Sequence, residues 1–227
     1  MKPNGLDRGN LRDRLIRVIR QGKPWQPDIL LARGDEGLAV VKDYSRRPFL
    51  YRVGIGLLSV WNENRMYRLL SGISGVPKGY GKIDRHALVV EYIEGRTASK
   101  FKAGEVPVEF FSRLRAIIDE IHSRGVVLCD MRNRRNVLVT ASFEPYVIDL
   151  VTAFHRGSRF NIIRGFIHRI FYQDDLVGIA KLKSRLQPQL LTPEETRKLR
   201  EGLFMQREAM AVRDFCVRWL KRLVAHQ

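Results

Sequence analysis

Five polar residues interrupt or end segments that are otherwise built for packing. Lys42 lies in "VVKDY", Glu63 in "WNENRMYRLL", and Asp149 ends "VIDL"; Asp130 and Asn136 sit in "GVVLCDMRNRRNVLV". Their types suit a particular chemistry. A lone carboxylate can take a proton, and an amide with a carboxylate offers hard oxygen ligands of the kind Mg²⁺ accepts. Arg132, Arg134 and Arg135 crowd the loop between Asp130 and Asn136. Taken singly, each residue has a plainer reading. Lys42 is then a solvated strand-edge residue, Glu63 a helix-surface charge, Asp130 a salt-bridged turn, Asn136 a capping amide and Asp149 a strand-end turn residue. Their order along the chain favours reading them together.

The elements that must position them follow from periodicity. Leu11, Leu15, Val18 and Ile19 fall at helical spacing, which predicts a short amphipathic helix over residues 10–21, closed by Gly22. A hairpin is predicted over 28–44, placing Lys42 on its second strand, and a long helix over 49–71 carrying Glu63. "KGYGKID" and "HALVVEYIEG" form a second hairpin, with Gly95 as a hinge. Phe110, Leu114, Ile117, Ile118 and Ile121 define one face of the next helix, and "NVLVT" and "PYVIDL" are short strands. Helical periodicity returns over 159–172, 174–187 and 203–225, and "TPEE" at 192–195 is a helix start. Strands first and helices later predict an α+β protein of two lobes, 1–95 and 96–227.

Composition bounds the class. The chain has 227 residues, 44% of them apolar, enough for a sizeable core. Its net charge of +17 is shared almost equally between residues 1–150 and 151–227 and favours an anionic partner: nucleic acid, a phospholipid surface or a phosphorylated substrate. Cys129 and Cys216, without a C-x-x-C, indicate neither a disulfide framework nor a zinc site. No apolar run reaches the length of a membrane span and no apolar leader opens the sequence, so a cytoplasmic location is expected.

The series Lys42, Glu63, Asp130, Asn136, Asp149 resembles the protein-kinase-like fold, with a strand lysine, a helix glutamate, a catalytic-loop Asp and Asn, and a metal-binding Asp. The resemblance implies that Lys42, held by Glu63, pairs the α/β-phosphates of ATP. Asn136 and Asp149 hold Mg²⁺, Asp130 orients and deprotonates the acceptor hydroxyl, and Arg132 faces the γ-phosphate. Glu91 and Ile93, just before Gly95, are assigned to the nucleotide. The pattern also departs from the protein kinases. H-R-D is here Leu128-Cys129-Asp130, the loop to Asn136 is one residue longer, and D-F-G is Asp149-Leu150-Val151 with no A-P-E after it. No G-x-G-x-x-G precedes Lys42, so the phosphate-covering loop falls to "RQGKPWQP", residues 20–27, which is poor in glycine.

"VVKDYSRRP", "YRLLSGISGVPKGYGKID", "LVVEYIEGR", "GVVLCDMRNRRNVLV" and "LTPEE" together resemble the bacterial lipopolysaccharide kinase family, which includes heptose and 3-deoxy-D-manno-octulosonic acid kinases, and its RIO kinase relatives. The resemblance spans residues 28–195 and implies an ATP- and Mg²⁺-dependent kinase acting on a hydroxyl of a lipopolysaccharide-core sugar or another lipid-linked glycan. The expected partners are ATP and an anionic glycolipid or membrane surface at the inner face of the cytoplasmic membrane. Two other readings stand beside it: a RIO-like protein serine/threonine kinase acting on a protein substrate, and a pseudokinase that binds nucleotide or serves as a scaffold. No specific nucleic-acid motif is present. The segment "HRGSRFNIIRGFIHRIF" reads as a basic amphipathic helix whose apolar face, Phe160, Ile163, Phe166, Ile167 and Ile170, packs into the second lobe or lies on an anionic membrane.

Overall fold

The computed structural model describes residues 3–157 and 161–201. The expected helix at 203–225, with Cys216, lies outside the described residues. The first part is a five-stranded antiparallel sheet of β1 (Leu15–Arg20), β2 (Asp28–Gly34), β3 (Gly37–Asp43), β4 (Gly79–Asp84) and β5 (Ala87–Glu91), in the order β1-β2-β3-β5-β4. Both predicted hairpins are present, and β3 is the central strand, flanked by β2 and β5. Alternation along β3 divides its neighbours between two cores. Ala39 and Val41 join Ala32, Ala87 and Val89 on the outer face, where Leu6 and Leu11 of the N-terminal segment cover them. Arg8 clamps this cover down by pairing with both Asp43 and Asp84. Lys42 lies on the inner face with Val40, Leu88 and Val90, and this face looks into the main core.

The helix expected over 10–21 is not formed. Backbone turns span residues 8–14, and the chain then runs as β1, pairing with β2 through two register shifts. The spacing of Leu15, Val18 and Ile19 fits a helix, but "LIRVIR" is rich in β-branched residues, which favour an extended chain. The unpaired edge of β2 supplies the partner that tips the balance. Leu15, Ile16, Val18 and Ile19 remain between 37% and 52% exposed, so β1 is an edge strand held by its ladder more than by burial.

The helix bearing Glu63 begins with a turn, α1 (Phe49–Tyr51), passes through a π-helical stretch, Arg52–Gly56, and continues as α2 (Leu57–Leu69). Val60, Glu63, Met66 and Tyr67 form its buried face. The rest of the chain packs on α3 (Glu109–Ser123), where Phe110, Leu114, Ile118 and Ile121 are fully buried. Burying each such side chain stabilises the fold by about 1.5–3 kcal/mol. Short strands β6 (Arg96–Thr97), β8 (Val137–Val139) and β9 (Pro145–Val147) form one sheet, and β7 (Val126–Val127) pairs with β10 (Phe154–His155).

The two helices expected at 159–172 and 174–187 are one, α4 (Ile162–Leu186), capped by the Asn161 side chain accepting from the Arg164 N–H. Its second half is buried at Asp175, Val177, Ile179, Ala180, Leu182 and Leu186. In its first half, part of the expected apolar face is exposed, Ile167 is half-buried and Phe160 lies outside the described residues. Ile162, Phe166 and Ile170 are exposed, whereas Arg164 reaches back to the His155 carbonyl and lies over the Phe154 ring. No helix among the described residues is long and apolar enough to cross a membrane. After α4, Thr192 and Glu195 form the reciprocal capping box expected of "TPEE", and residues 193–201 are helical.

Candidate active site

Lys42 and Glu63, 21 residues apart in sequence, meet in the interior, with Nζ 2.5 Å from Glu63 Oε1 and 3.0 Å from Asp149 Oδ1. The Glu63 side chain is only 2% exposed, so its charge depends on this partner. Burial works against the Lys42 charge, but Asp149 and Glu63 outweigh it and hold the ammonium well above the usual lysine range. In return, Lys42 pulls the Asp149 carboxyl below the usual carboxylate range. Burial pushes the Glu63 carboxyl the other way, since one ammonium serves two acids. Glu63 Oε1 also accepts from the Leu150 N–H at 3.3 Å, and the Asp149 backbone hydrogen-bonds the Tyr67 phenol. Asn62, beside Glu63, donates to the Val151 and Ala153 carbonyls. Thus α2 holds both the strand lysine and the segment that follows Asp149.

Asp130 and Asn136 face each other across their loop. The Asn136 amide donates to the Asp130 carbonyl at 3.1 Å and to its Oδ2 at 3.0 Å, while Asn133 reaches the same Oδ2 at 3.3 Å. With its N–H groups turned to Asp130, the amide presents its oxygen as the acceptor. The pairing of β8 with β9 brings Asn136 beside Asp149: Val137 opposes Val147, and the Ile148 N–H bonds the Asn136 carbonyl at 2.9 Å. An amide oxygen and a carboxylate at adjoining strand ends are ligand types that Mg²⁺ takes, so Asn136 and Asp149 would be the residues to hold it. Asp149 already balances its charge against Lys42, so the site exists without the ion. Among the described residues, no three His, Cys, Asp or Glu gather as a larger metal cluster.

What holds the Asp130 loop was missed from sequence. Asp175, on α4 and 0% exposed, accepts from the Leu128 N–H at 2.8 Å, the Cys129 N–H at 3.1 Å and His122 Nε2 at 2.9 Å. One buried carboxylate thereby ties α3, α4 and the residues just before Asp130 into a unit. The signal available was "YQDDLVGIAKL", two adjacent acids inside an otherwise apolar helical run. Gly178 completes the contact, since a Cβ there would lie 2.7 Å from the Met131 carbonyl carbon. Two non-glycine residues of the site adopt left-handed backbone, Cys129 (φ 64°) and Asp149 (φ 68°), each at a cost of order 1 kcal/mol. Burial, with Asp175 nearby, pushes the Cys129 thiol well above its usual range, which leaves it protonated and unreactive.

The remaining expected residues are placed as follows. Arg132 pairs with Asp174 of α4 at 2.6 Å and turns toward that helix, so its charge is shared with a carboxylate that the expected γ-phosphate role did not include. Glu91 ends β5 and accepts from the Lys78 N–H, and Ile93 is half-buried in the linker after it. The loop between β1 and β2 does lie where "RQGKPWQP" predicts it. Instead of a glycine-rich flap it is a braced turn: Arg47 bonds the Gly22 carbonyl and Asp28, and Asp28 in turn accepts from the Gly22 N–H. Gly22 is required here, because a Cβ would stand 2.3 Å from the Gln26 carbonyl oxygen. Arg20, at the end of β1, adds a cation that helps to lower the Asp149 carboxyl.

No protein-family model matches the chain, and no curated protein matches it, so the lipopolysaccharide kinase resemblance has no family match behind it. Among solved structures, the chain is similar to the Rio2 kinase from Chaetomium thermophilum, with a TM-score of 0.56 and 15% identity over 88% of this chain and 76% of that one. The ADP/Mg²⁺-phosphoaspartate complex of the same Rio2 kinase gives a TM-score of 0.49 and 18% identity, covering 90% of this chain and 78% of that one. At such identity the likeness is one of fold: the chain has the mixed α and β protein-kinase-like fold, with the antiparallel sheet in its N-terminal lobe and helices beyond it.

Proposed function

We propose that the chain is an ATP- and Mg²⁺-dependent phosphotransferase of the atypical, RIO-like kind, acting on an alcohol hydroxyl. The observation that carries this reading is that the Lys42–Glu63–Asp149 ion-pair cluster and the Asp130–Asn136 pair meet at one end of the β8–β9 pair, where Asn136 precedes β8 and Asp149 follows β9. Lys42 would bind the α/β-phosphates, and Asn136 and Asp149 would hold Mg²⁺. When bound, the ion neutralises charge on the phosphates. Asp130 would orient the acceptor hydroxyl and take its proton as the bond from the hydroxyl oxygen to the γ-phosphorus forms. The bond from that phosphorus to the β-bridging oxygen breaks, and ADP leaves with the electron pair. Asn133 and Asn136, both donating to Asp130 Oδ2, would fix the carboxylate so that its other oxygen faces the acceptor.

A second reading of the acceptor, a sugar hydroxyl of a lipid-linked glycan, is favoured by the short connection after Asp149. Only twelve residues separate Asp149 from Ile162 at the start of α4, and Phe154–His155 are already committed to pairing with β7. Such a connection leaves little chain for a platform that would bind an extended peptide.

The test is thermal unfolding with nucleotide. ATP should raise Tm more with Mg²⁺ than with chelator, because a ligand of the native state stabilises it by mass action. Asp149→Asn should abolish the Mg²⁺ dependence while leaving the apo fold in place. A wild-type chain indifferent to both ATP and Mg²⁺ would overturn the reading in favour of a scaffold.

A further inference from the structure

Beside the Asp130 loop, on the side facing α4, is an open basin of about 530 Å³. Six cations line it, from three separate segments: Lys100 after β6, Arg132, Arg134 and Arg135 of the loop, and Lys181 and Arg185 of α4. Among the described residues, no carboxylate lines it. The nearby Asp174 is occupied by one of the six, Arg132. The cations are held together against their own repulsion. Lys181 and Arg185 stand four residues apart on one helix face, an unfavourable spacing for like charges. Burial, and then Arg132, Arg185 and Arg134, lower the Lys181 ammonium below the usual lysine range. Arg132 is anchored as a fixed wall, its side chain only 11% exposed, and its Nε is buried with no hydrogen-bond partner. Asn133 lines the basin and also donates to Asp130 Oδ2, so the basin begins one hydrogen bond from the proposed base.

We propose that this basin is an acceptor subsite: it binds a phosphate group that the acceptor already carries and so delivers a neighbouring hydroxyl to Asp130. The proposal rests on the kinase reading and names a property of its substrate. Its ligand chemistry is a phosphate ester on a compact acceptor or headgroup. The cations surround a concavity, whereas a nucleic acid is met by a stripe that tracks successive phosphates. Guanidinium and ammonium groups around one hollow can donate together to the terminal oxygens of a phosphate ester, and such charge-assisted bonds are the strong ones. The donor nucleotide is served by Lys42 and by the residues placed for Mg²⁺. Six further cations on the acceptor side are therefore more than ATP requires.

The experiment is calorimetric titration of inorganic phosphate into the full chain, with and without saturating ADP and Mg²⁺, for wild type and for Lys181→Ala/Arg185→Ala. Both side chains border the open basin, so the double variant should keep the wild-type Tm and ADP affinity. The expected result is saturable phosphate binding to wild type that persists with ADP bound and is weakened about tenfold or more in the variant, as loss of two charge-assisted contacts implies. Equal affinity in the two proteins, or heat without saturation, would overturn the subsite. Phosphatidylcholine vesicles containing phosphatidic acid identify the source. Sedimentation of wild type but not the variant supports a lipid-borne phosphate, and a soluble sugar phosphate binding while vesicles fail supports a soluble acceptor. Tighter binding of a single-stranded RNA oligonucleotide, with a salt dependence spanning several phosphates, would overturn the proposal in favour of a nucleic-acid surface. A chain that binds phosphate in the basin but never ADP would refute the kinase reading while leaving the anion site standing, so the two failures are distinguishable.

Discussion

Two charged clusters flank the Asp130 loop, and they are composed in opposite ways. On one side, a single ammonium, Lys42, lies between the carboxylates of Glu63 and Asp149, largely out of solvent. On the other, six cations line an open basin with no acid among the described residues of its lining. Burial explains the contrast. A charge removed from water must find its partner within the protein, at a desolvation cost of several kcal/mol per ion, so the buried ammonium and Glu63 are paired before any ligand arrives. Apart from Arg132, which Asp174 balances, the cations around the open hollow reach solvent, and their mutual repulsion is screened, so an unbalanced cluster is tolerable there. The inner cluster thus has a structural role whatever it binds, whereas the outer one, on the subsite proposed above, is used only when an anion comes. Mutations on the two sides should accordingly fail in different currencies, stability on the inner side and binding on the outer.

The largest effect is expected at Asp130, where the two clusters meet. Asp130→Asn should leave ATP affinity and Tm close to wild type and slow transfer by about 10²–10⁴-fold, the range of a positioned general base. Single-turnover transfer from labelled ATP at matched folded concentration measures it. A rate equal to wild type would remove Asp130 from the mechanism and reduce the loop to a turn.

Lys42→Ala comes next and breaks the inner balance directly. It leaves Glu63 buried without its counter-ion and should cost about 3–5 kcal/mol in urea unfolding, as removal of one member of a buried pair does. Lys42→Ala/Glu63→Gln should recover part of that loss, because the stranded charge goes with its partner. Lys181→Ala/Arg185→Ala, two cations lost from the open side, should stay within about 0.5 kcal/mol of wild type, as surface changes do. Similar losses for the inner and outer variants would erase the contrast.

How far these clusters are legible in the sequence follows the same division. Lys42, Glu63, Asp130, Asn136 and Asp149 are visible because each stands out in its own segment, and their order is enough to bring them together. The hairpins and α3 are visible through periodicity. β1 is not, because six residues with mixed spacing fit two periods, and only the free edge of β2 decides between them. The exposed stripe of Ile162, Phe166 and Ile170 is not either, since amphipathicity shows that a helix has two faces and not which one the core accepts. The basin is invisible for a stronger reason. Arg132, Arg134 and Arg135 stand out as a local run, but Lys100, Lys181 and Arg185 come from two other segments that only the fold brings to it, and in a chain with 41 Lys and Arg nothing local marks those three out. Asn62 carries no mark of its own in the sequence, although its amide holds the chain after Asp149.

The last of the expected effects tests the joint between the clusters, for α4 carries both Asp175 and the basin residues Lys181 and Arg185. Asp175 accepts from two backbone N–H groups and from His122 with the two oxygens of one carboxylate. Asparagine has the same shape but only one acceptor oxygen, so Asp175→Asn must turn an NH₂ toward a donor and leave a buried group unsatisfied. The cost should be about 1–3 kcal/mol in urea unfolding, the penalty of an unpaired buried polar group. Burial already pushes the Asp175 carboxyl above the usual carboxylate range, held back by His122, so part of the loss is offset by no longer burying a charge. The kinetic consequence separates an anchor from a mere packing residue. Leu128 and Cys129 lead directly into Asp130, whereas Lys42 and Glu63 are held by β3 and α2. Asp175→Asn should therefore lower the transfer rate while leaving ATP affinity near wild type, and it should weaken phosphate binding in the basin, because Asp174 and Arg132 move with the same contact. A variant that loses stability yet keeps wild-type transfer and phosphate affinity would show that Asp175 serves only the core, and that the two clusters are positioned independently.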